Sequence, residues 1–373
     1  MNCIPGRITA FTVFVCFNLA CCGPGGDEPA REYHNYVYVA NATSDTVSGF
    51  SIKIDGTLTE LAGSPYAAGA SPRSMAMTSA GKFVYVPNSN QIWAYTVSAG
   101  VLNRMSGAPF TFRSAAPPMP HDIALDPGGR HAYTANENTS DVSVFAINET
   151  TGVLTEIAGS PFPAGSGAYE VEIDPTGKFV YVANIYSENI SVFNRDAATG
   201  ALAEIAGSPF ASGSAPYSMD LAPSGKFLYA ANSNEGSISG FAVHATTGAL
   251  TEIAGSPFLS VSWPTSITVG PAGALAYVTD GNLNTISVCR IDAATGALTE
   301  IAGSPFEAGF FPSHMAFGPS GDYAYVAEVV DMGMGGVTVY DVDKATGAVT
   351  KIEGSSKTTG LSACHVLVAR ILE

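Results

Sequence analysis

A chain of 373 residues in which 13% are charged, with 40 glycines and 23 prolines punctuating short runs of Val, Ile, Phe and Tyr, has the composition of many short strands joined by tight turns. The formal net charge of -16 makes nucleic acid and anionic lipid poor partners for the body of the protein, because long-range repulsion opposes both. Length alone would imply two or three domains, an expectation that an internal repeat removes.

At the N-terminus, Arg7 is the only charge before a mostly apolar stretch over residues 8–20, which is followed by Cys21, Cys22 and Gly-Pro-Gly-Gly. This reads as a secretory signal peptide over residues 1–21, with a short linker over residues 22–35. The end of the stretch resembles a bacterial lipoprotein signal, in which a cysteine is acylated and becomes the mature N-terminus. Either Cys21, preceded by Ala20, or Cys22, with Leu19 well placed, would carry the lipid. The resemblance implies a periplasmic or outer-membrane lipoprotein that meets the membrane only through that anchor; without lipidation the protein would simply be secreted. The run is short for a transmembrane helix and contains Asn18. Only Cys289 and Cys364 remain in the body, so no disulfide framework supports it.

From residue 36 onward a motif returns seven times: Tyr38-Val39-Ala40-Asn41, Tyr85-Val86-Pro87-Asn88, Tyr133-Thr134-Ala135-Asn136, Tyr181-Val182-Ala183-Asn184, Tyr229-Ala230-Ala231-Asn232, Tyr277-Val278-Thr279-Asp280 and Tyr325-Val326-Ala327-Glu328. The first two tyrosines are 47 residues apart and every later pair 48, a fixed period that signals a repeat architecture. The fourth copy shows the unit. Residues 169–174 predict strand A, Pro175-Thr176-Gly177 a tight turn, residues 179–184 strand B, residues 189–194 strand C and residues 202–209 strand D, with a hairpin loop ending at Gly200 between C and D. Four antiparallel strands per period predict one blade of a β-propeller. Asparagine at the end of strand B is expected to tie down the following loop through backbone hydrogen bonds.

A Gly-Ser-Pro marker closes most units, as at Gly159-Ser160-Pro161 and Gly207-Ser208-Pro209. No A strand precedes the first Tyr-Val-x-Asn, whereas a spare strand, residues 364–369, follows the last D strand. The reading is therefore an all-β, seven-bladed propeller over residues 36–373, closed when the C-terminal strand completes blade 1. These repeats resemble the YVTN propellers, related to the propeller type of 6-phosphogluconolactonase and to muconate-lactonising enzymes, over residues 36–370. The resemblance implies the fold and, more loosely, lactonase-like chemistry.

Turns between A and B and between C and D barely vary, as in Pro175-Thr176-Gly177 and Pro223-Ser224-Gly225, whereas the B–C and D–A loops differ in every blade. Variable loops on a rigid scaffold are where binding resides. Strand A lines the channel, and its second position reads Ser74, Asp122, Glu170, Ser218, Ser266, His314 and His365, with Arg73 and His121 one residue earlier. His314, His365, Asp122 and Glu170 are the candidate acid/base residues. Arg73, His121 and Glu328 are candidates for substrate binding. The same histidines and carboxylates could hold a divalent metal, although no metal or other cofactor is required; a polar channel mouth with no chemistry is the plain alternative. The enzyme relatives typically carry Pro-Arg-His at the start of an A strand. This chain has only pieces of it, Pro72-Arg73-Ser74, Pro120-His121-Asp122 and Pro312-Ser313-His314. One arginine is a thin cation supply for a phosphate, which disfavours a phosphorylated sugar lactone. Met332-Gly333-Met334-Gly335-Gly336 reads as a flexible B–C loop in preference to a copper site. The leading expectation is a monomeric binding scaffold for a protein, glycan or small molecule through its variable face. The alternative is a hydrolase or lyase acting on a small lactone at the channel mouth.

Overall fold

The computed structural model describes residues 33–114, 116–331 and 334–372. The signal segment with Cys21 and Cys22, and residues 332 and 333 of the methionine-rich stretch, lie outside them. The described residues form seven antiparallel sheets, and no α-helix occurs among them. In blade 4 the strands are Ala168–Ile173 (A), Phe179–Asn184 (B), Asn189–Arg195 (C) and Leu202–Glu204 (D), and the other blades repeat this order.

Strand D differs from its expected form. It breaks after three residues, passes through the Gly-Ser-Pro turn and its cis peptide at Ser208-Pro209, and rejoins strand C as Phe210–Ala211. Blade 7 also differs. Strands Tyr323–Asp331 and Met334–Val342 pair as far as Asp331 opposite Met334, so Met334, Gly335 and Gly336, expected in a loop, belong to strand C.

Ring closure follows the sequence. The C-terminal strand Ala363–Leu372 pairs antiparallel with Tyr33–Asn41 in nine register pairs, from Tyr33 opposite Leu372 to Asn41 opposite Ala363. Pairing starts at Tyr33, inside the segment expected to be linker, and the closing strand is longer than expected at both ends.

The role of Tyr-Val-x-Asn is now visible. Each B strand is buried on both faces, so alternate residues serve different neighbours. Tyr181 packs into the apolar cluster shared with blade 5, and Val182 into the one shared with blade 3. There are seven such clusters, one at each blade interface, and burying each large side chain contributes about 1.5–3 kcal/mol. The tyrosine hydroxyls add a directional bond. Six of the seven donate to the carbonyl of a C–D turn glycine in the next blade: Tyr38 to Gly100 (2.6 Å), Tyr85 to Gly152 (2.8 Å), Tyr133 to Gly200 (3.1 Å), Tyr181 to Gly248 (3.3 Å), Tyr229 to Gly296 (2.7 Å) and Tyr325 to Gly56 (3.4 Å). The turns on that face are uniform because they are joints between blades. Gly248 shows the constraint: its φ is +75°, and a Cβ there would lie 2.5 Å from the Phe179 ring.

The asparagines act differently from expectation. Asn136, Asn184 and Asn232 donate to side chains on strand C, for example Asn184 Nδ2 to Asn189 Oδ1 (2.8 Å) and Ser191 Oγ (2.9 Å). Asn88 acts as expected, its Oδ1 accepting from the Gln91 N–H across the short B–C loop at 3.2 Å, while its Nδ2 donates to the Ala68 carbonyl at 3.1 Å.

Candidate functional site

At the start of most A strands the chain turns through a left-handed residue: Ser71, Met119, Gly167, Ala215, Phe311 and Ser362 all have φ between +50° and +71°. For a bulky residue such as Phe311 this conformation costs on the order of 1–3 kcal/mol. Two residues later a β-bulge follows, the register skipping one residue between Pro120 and Asp122, Ala168 and Glu170, Pro216 and Ser218, and Pro264 and Ser266. A bulge lets two successive side chains leave the strand on the same side. In blades 3 to 5 the skipped residues His121, Tyr169 and Tyr217 and the residues after them, Asp122, Glu170 and Ser218, therefore both line the channel, where strict alternation would have sent one away.

The result is a cavity of about 600 Å³ on the variable face, with Arg73, His121, Asp122, Glu170, His314 and His365 among its lining residues. Six of the seven candidates named from the sequence thus meet in one place. Glu328 is the exception and is corrected here. It is absent from the lining and only 1% exposed. Its Oε2 accepts from the Gly309 N–H at 2.9 Å, and Thr338 Oγ1 donates to its Oε1.

The second-position carboxylates have structural partners. Asp122 Oδ1 accepts from Ser74 Oγ at 2.5 Å and its Oδ2 from Val171 N–H at 3.0 Å, while Glu170 accepts from Met219 N–H. Ser218 Oγ likewise accepts from Ile267 N–H at 3.2 Å. Each ties one inner strand to the next, so the constellation read as catalytic is in large part a belt that staples neighbouring blades. Glu172 and Asp220 lie two residues further along their strands, and Asp220 Oδ2 accepts from Val269 N–H at 2.6 Å. Enclosure by protein raises all four acids: Asp122 upward, Glu170 and Glu172 well above the carboxylate range with help from neighbouring carboxylates, and Asp220 to about 7.

The histidines are better placed for chemistry. The rings of His314 and His365 lie 4.3 Å apart, tilted by 31°. Val366 N–H donates to His314 Nδ1 at 3.3 Å, so in the neutral ring Nε2 carries the proton. Nδ1 of His365 is buried without a hydrogen-bond partner. Burial takes the His314 pKa down to about 4 and that of His365 well below its ordinary value, the neighbouring His314 adding to the second shift. Both are therefore neutral at physiological pH. His121 stacks on Tyr169 with ring centroids 3.5 Å apart, and Tyr169 meets Tyr217 at 4.5 Å with the rings tilted by 43°. Burial, then the Arg73 charge, keeps His121 unprotonated as well. Cys364 is no nucleophile, since burial pushes its thiol up to about 12.

No group of three or more His, Cys, Asp or Glu among the described residues is arranged to hold a metal ion. Sequence reasoning missed the aromatic lining, Tyr169, Tyr217, Trp263, Phe310 and Phe311, and the deeper acids Glu172 and Asp220. The acids had a signal in their i+2 spacing from Glu170 and Ser218.

Comparison with known proteins agrees with this architecture. Residues 31–109, 91–269 and 262–360 match the sequence model described as lactonase, seven-bladed β-propeller. A 6-phosphogluconolactonase of Bacillus subtilis (strain 168) is 31% identical over 128 residues, which cover 32% of this chain and 36% of that enzyme. The chain thus spans about a third of that relative's length. Among solved structures, a Bacteroides fragilis protein described provisionally as a 6-phosphogluconolactonase superposes with a TM-score of 0.77 at 21% identity, covering 90% of this chain and 98% of the other. The periplasmic gluconolactonase of Pseudomonas aeruginosa superposes with a TM-score of 0.72 at 17% identity, covering 91% and 99%. At such identities the superpositions speak for the fold alone.

Proposed function

The chain belongs to the lactonase family of seven-bladed β-propellers, and from that premise we propose that it opens the ring of a small lactone bound in the cavity between His314, His365 and Arg73. The observation that carries this reading is the pair of neutral imidazoles with unequal commitments. His314, its Nδ1 occupied by Val366 N–H, presents Nε2–H as a donor to the lactone carbonyl oxygen. His365, its Nδ1 buried without a partner, takes a proton at Nε2 from water as the water oxygen bonds to the carbonyl carbon. The ring C–O bond then breaks, the departing oxygen takes that proton back from His365, and a hydroxy acid leaves. Asp122 and Glu170, bonded to the backbone of the next blade, hold the walls and leave the proton transfers to the imidazoles. Arg73, the one permanent cation in the lining, suits a carbonyl or a single developing carboxylate and does not provide the several donors a phosphate takes.

The test is a pH-stat assay of the full chain on a panel of uncharged lactones. The variants His314→Gln and His365→Gln should each lower kcat/KM by roughly 10²–10⁴ without changing the melting temperature by more than a few degrees. If no lactone is opened above the uncatalysed rate, or if the double variant is as active as wild type, the hydrolase reading is refuted.

A second reading, a binding scaffold, draws on the surface. Of the eleven large apolar side chains exposed among the described residues, seven (Met119, Tyr186, Trp263, Leu283, Phe310, Met334 and Leu361) lie in the loops and strand ends of the cavity face. Such a rim marks contact with something. An inert lactone panel together with a partner captured by wild type, but lost on Tyr186→Ser and Leu283→Ser substitution, would favour it.

A further inference from the structure

Accepting the cavity as a lactone site, we propose that its substrate carries an apolar substituent that lies against Trp263, Phe310 and Phe311, in contrast to a polyhydroxylated or phosphorylated sugar lactone. The cavity is two-sided. Blades 2 to 4 contribute Arg73, His121, Asp122 and Glu170, with Tyr169 stacked on His121, whereas blades 6 and 7, across the ring, contribute Trp263, Phe310, Phe311 and Val329 without a charged side chain among them. His314 lies on the strand that carries Phe310 and Phe311, and His365 on the neighbouring strand of blade 1, between that wall and Arg73 of blade 2. On the apolar side the available hydroxyls are already committed: Thr265 Oγ1 donates to the Pro312 carbonyl at 2.6 Å, and Ser313 Oγ lies 2.9 Å from the Ala363 carbonyl. Sugar hydroxyls entering this sector would lose water without gaining partners.

The wall is built, and the sequence exceptions build it. Where most repeats have asparagine at the end of strand B, blade 6 has Asp280 and blade 7 has Glu328. Asp280 Oδ2 accepts from Ser262 N–H at 2.6 Å and Trp263 N–H at 3.2 Å. Glu328 holds Gly309, next to Phe310, and a Cβ at Gly309 would collide with the Glu328 carboxyl carbon at 2.0 Å. Asn284 Oδ1 accepts from Phe311 N–H at 2.8 Å, fixing that residue in its left-handed conformation. The Trp263 and Phe311 rings meet edge to face at 5.4 Å. Despite this anchoring, Phe310 is 64% and Trp263 36% exposed, leaving apolar area that a bound substituent would cover.

The experiment separates this proposal from the catalytic one by using γ-lactams, which share the ring and resist hydrolysis. Binding of γ-methyl, γ-propyl and γ-pentyl lactams to the full chain is measured by calorimetry, beside turnover of the matching lactones and of glucono-lactone. Affinity should rise about two- to fourfold per methylene. Phe310→Ser should flatten that slope with an unchanged melting temperature, and Phe310→Leu should restore it. Affinity independent of chain length, or tighter binding of a gluconolactam than of the pentyl lactam, overturns the proposal. Chain-length-dependent binding with no lactone turned over supports the apolar subsite and refutes the hydrolase reading.

Discussion

Replacing tyrosine by phenylalanine in the repeat motif tests what the motif is for. The ring stays in its interface cluster, so the substitution removes the hydroxyl and leaves a buried turn carbonyl without its donor. A net loss of about 1 kcal/mol per latch is expected, graded by geometry: Tyr38 and Tyr229, at 2.6 and 2.7 Å, should cost more than Tyr181 and Tyr325, at 3.3 and 3.4 Å. Tyr38, Tyr133 and Tyr229 lie in non-adjacent blades, so the three losses should add. The triple Phe variant should lose about 3 kcal/mol, a large part of the 5–15 kcal/mol typical of a folded domain. Equilibrium urea unfolding, followed by circular dichroism and fluorescence together, reads this directly. A triple variant with the wild-type midpoint and slope would show that the hydroxyls hold nothing and that the repeated tyrosines serve packing alone.

Deleting residues 362–373 removes nine register pairs and the buried Val366 and Ile371, a loss exceeding about 3–6 kcal/mol from those two side chains alone; the truncated chain should show no cooperative transition at the wild-type temperature, and an unchanged melting curve would disprove closure by this strand. Burial raises the Asp220 pKa to about 7, so its folded form binds a proton that its unfolded form, near 4, has already released. Its contribution is complete below pH 4 and is lost as pH rises from about 4 to 7. Asp220→Asn, whose amide oxygen can still accept from Val269 N–H, should match wild type at pH 4 and melt higher at pH 8. A difference in melting temperature that is the same at both pH values would contradict this.

Much of the fold was legible because it repeats. Tyr181 and Val182, Gly200 and the Pro175-Thr176-Gly177 turn have counterparts doing the same local work in most blades, and the spare terminal strand made the closure countable. The break in strand D escaped notice because Leu202 to Pro209 reads as one run, whereas only the pairing with strand C shows two. Six candidate site residues were legible from the A-strand position. Their roles were not: Asp122 and Glu170 look like free carboxylates in one dimension, and only the neighbouring blade supplies the N–H groups that occupy them. The bulge at His121 and Tyr169, which lets successive residues share a side, is a matter of register and leaves no compositional trace. Trp263 and Phe311 were invisible for the same reason, although the residues clamping their backbone were not all hidden, since Asp280 breaks the asparagine pattern openly.

The pairing of Tyr33–Asn41 with Ala363–Leu372 also imposes an order on biogenesis. Every bond of that ladder joins residues at least 322 positions apart. At about 5–20 residues per second of synthesis, the first strand waits roughly 20 to 60 s for its partner to be made. For that interval the nascent chain carries an apolar strand with one edge unsatisfied, the kind of edge that recruits other chains. A strand made more than 300 positions later therefore decides whether the earlier one stays native.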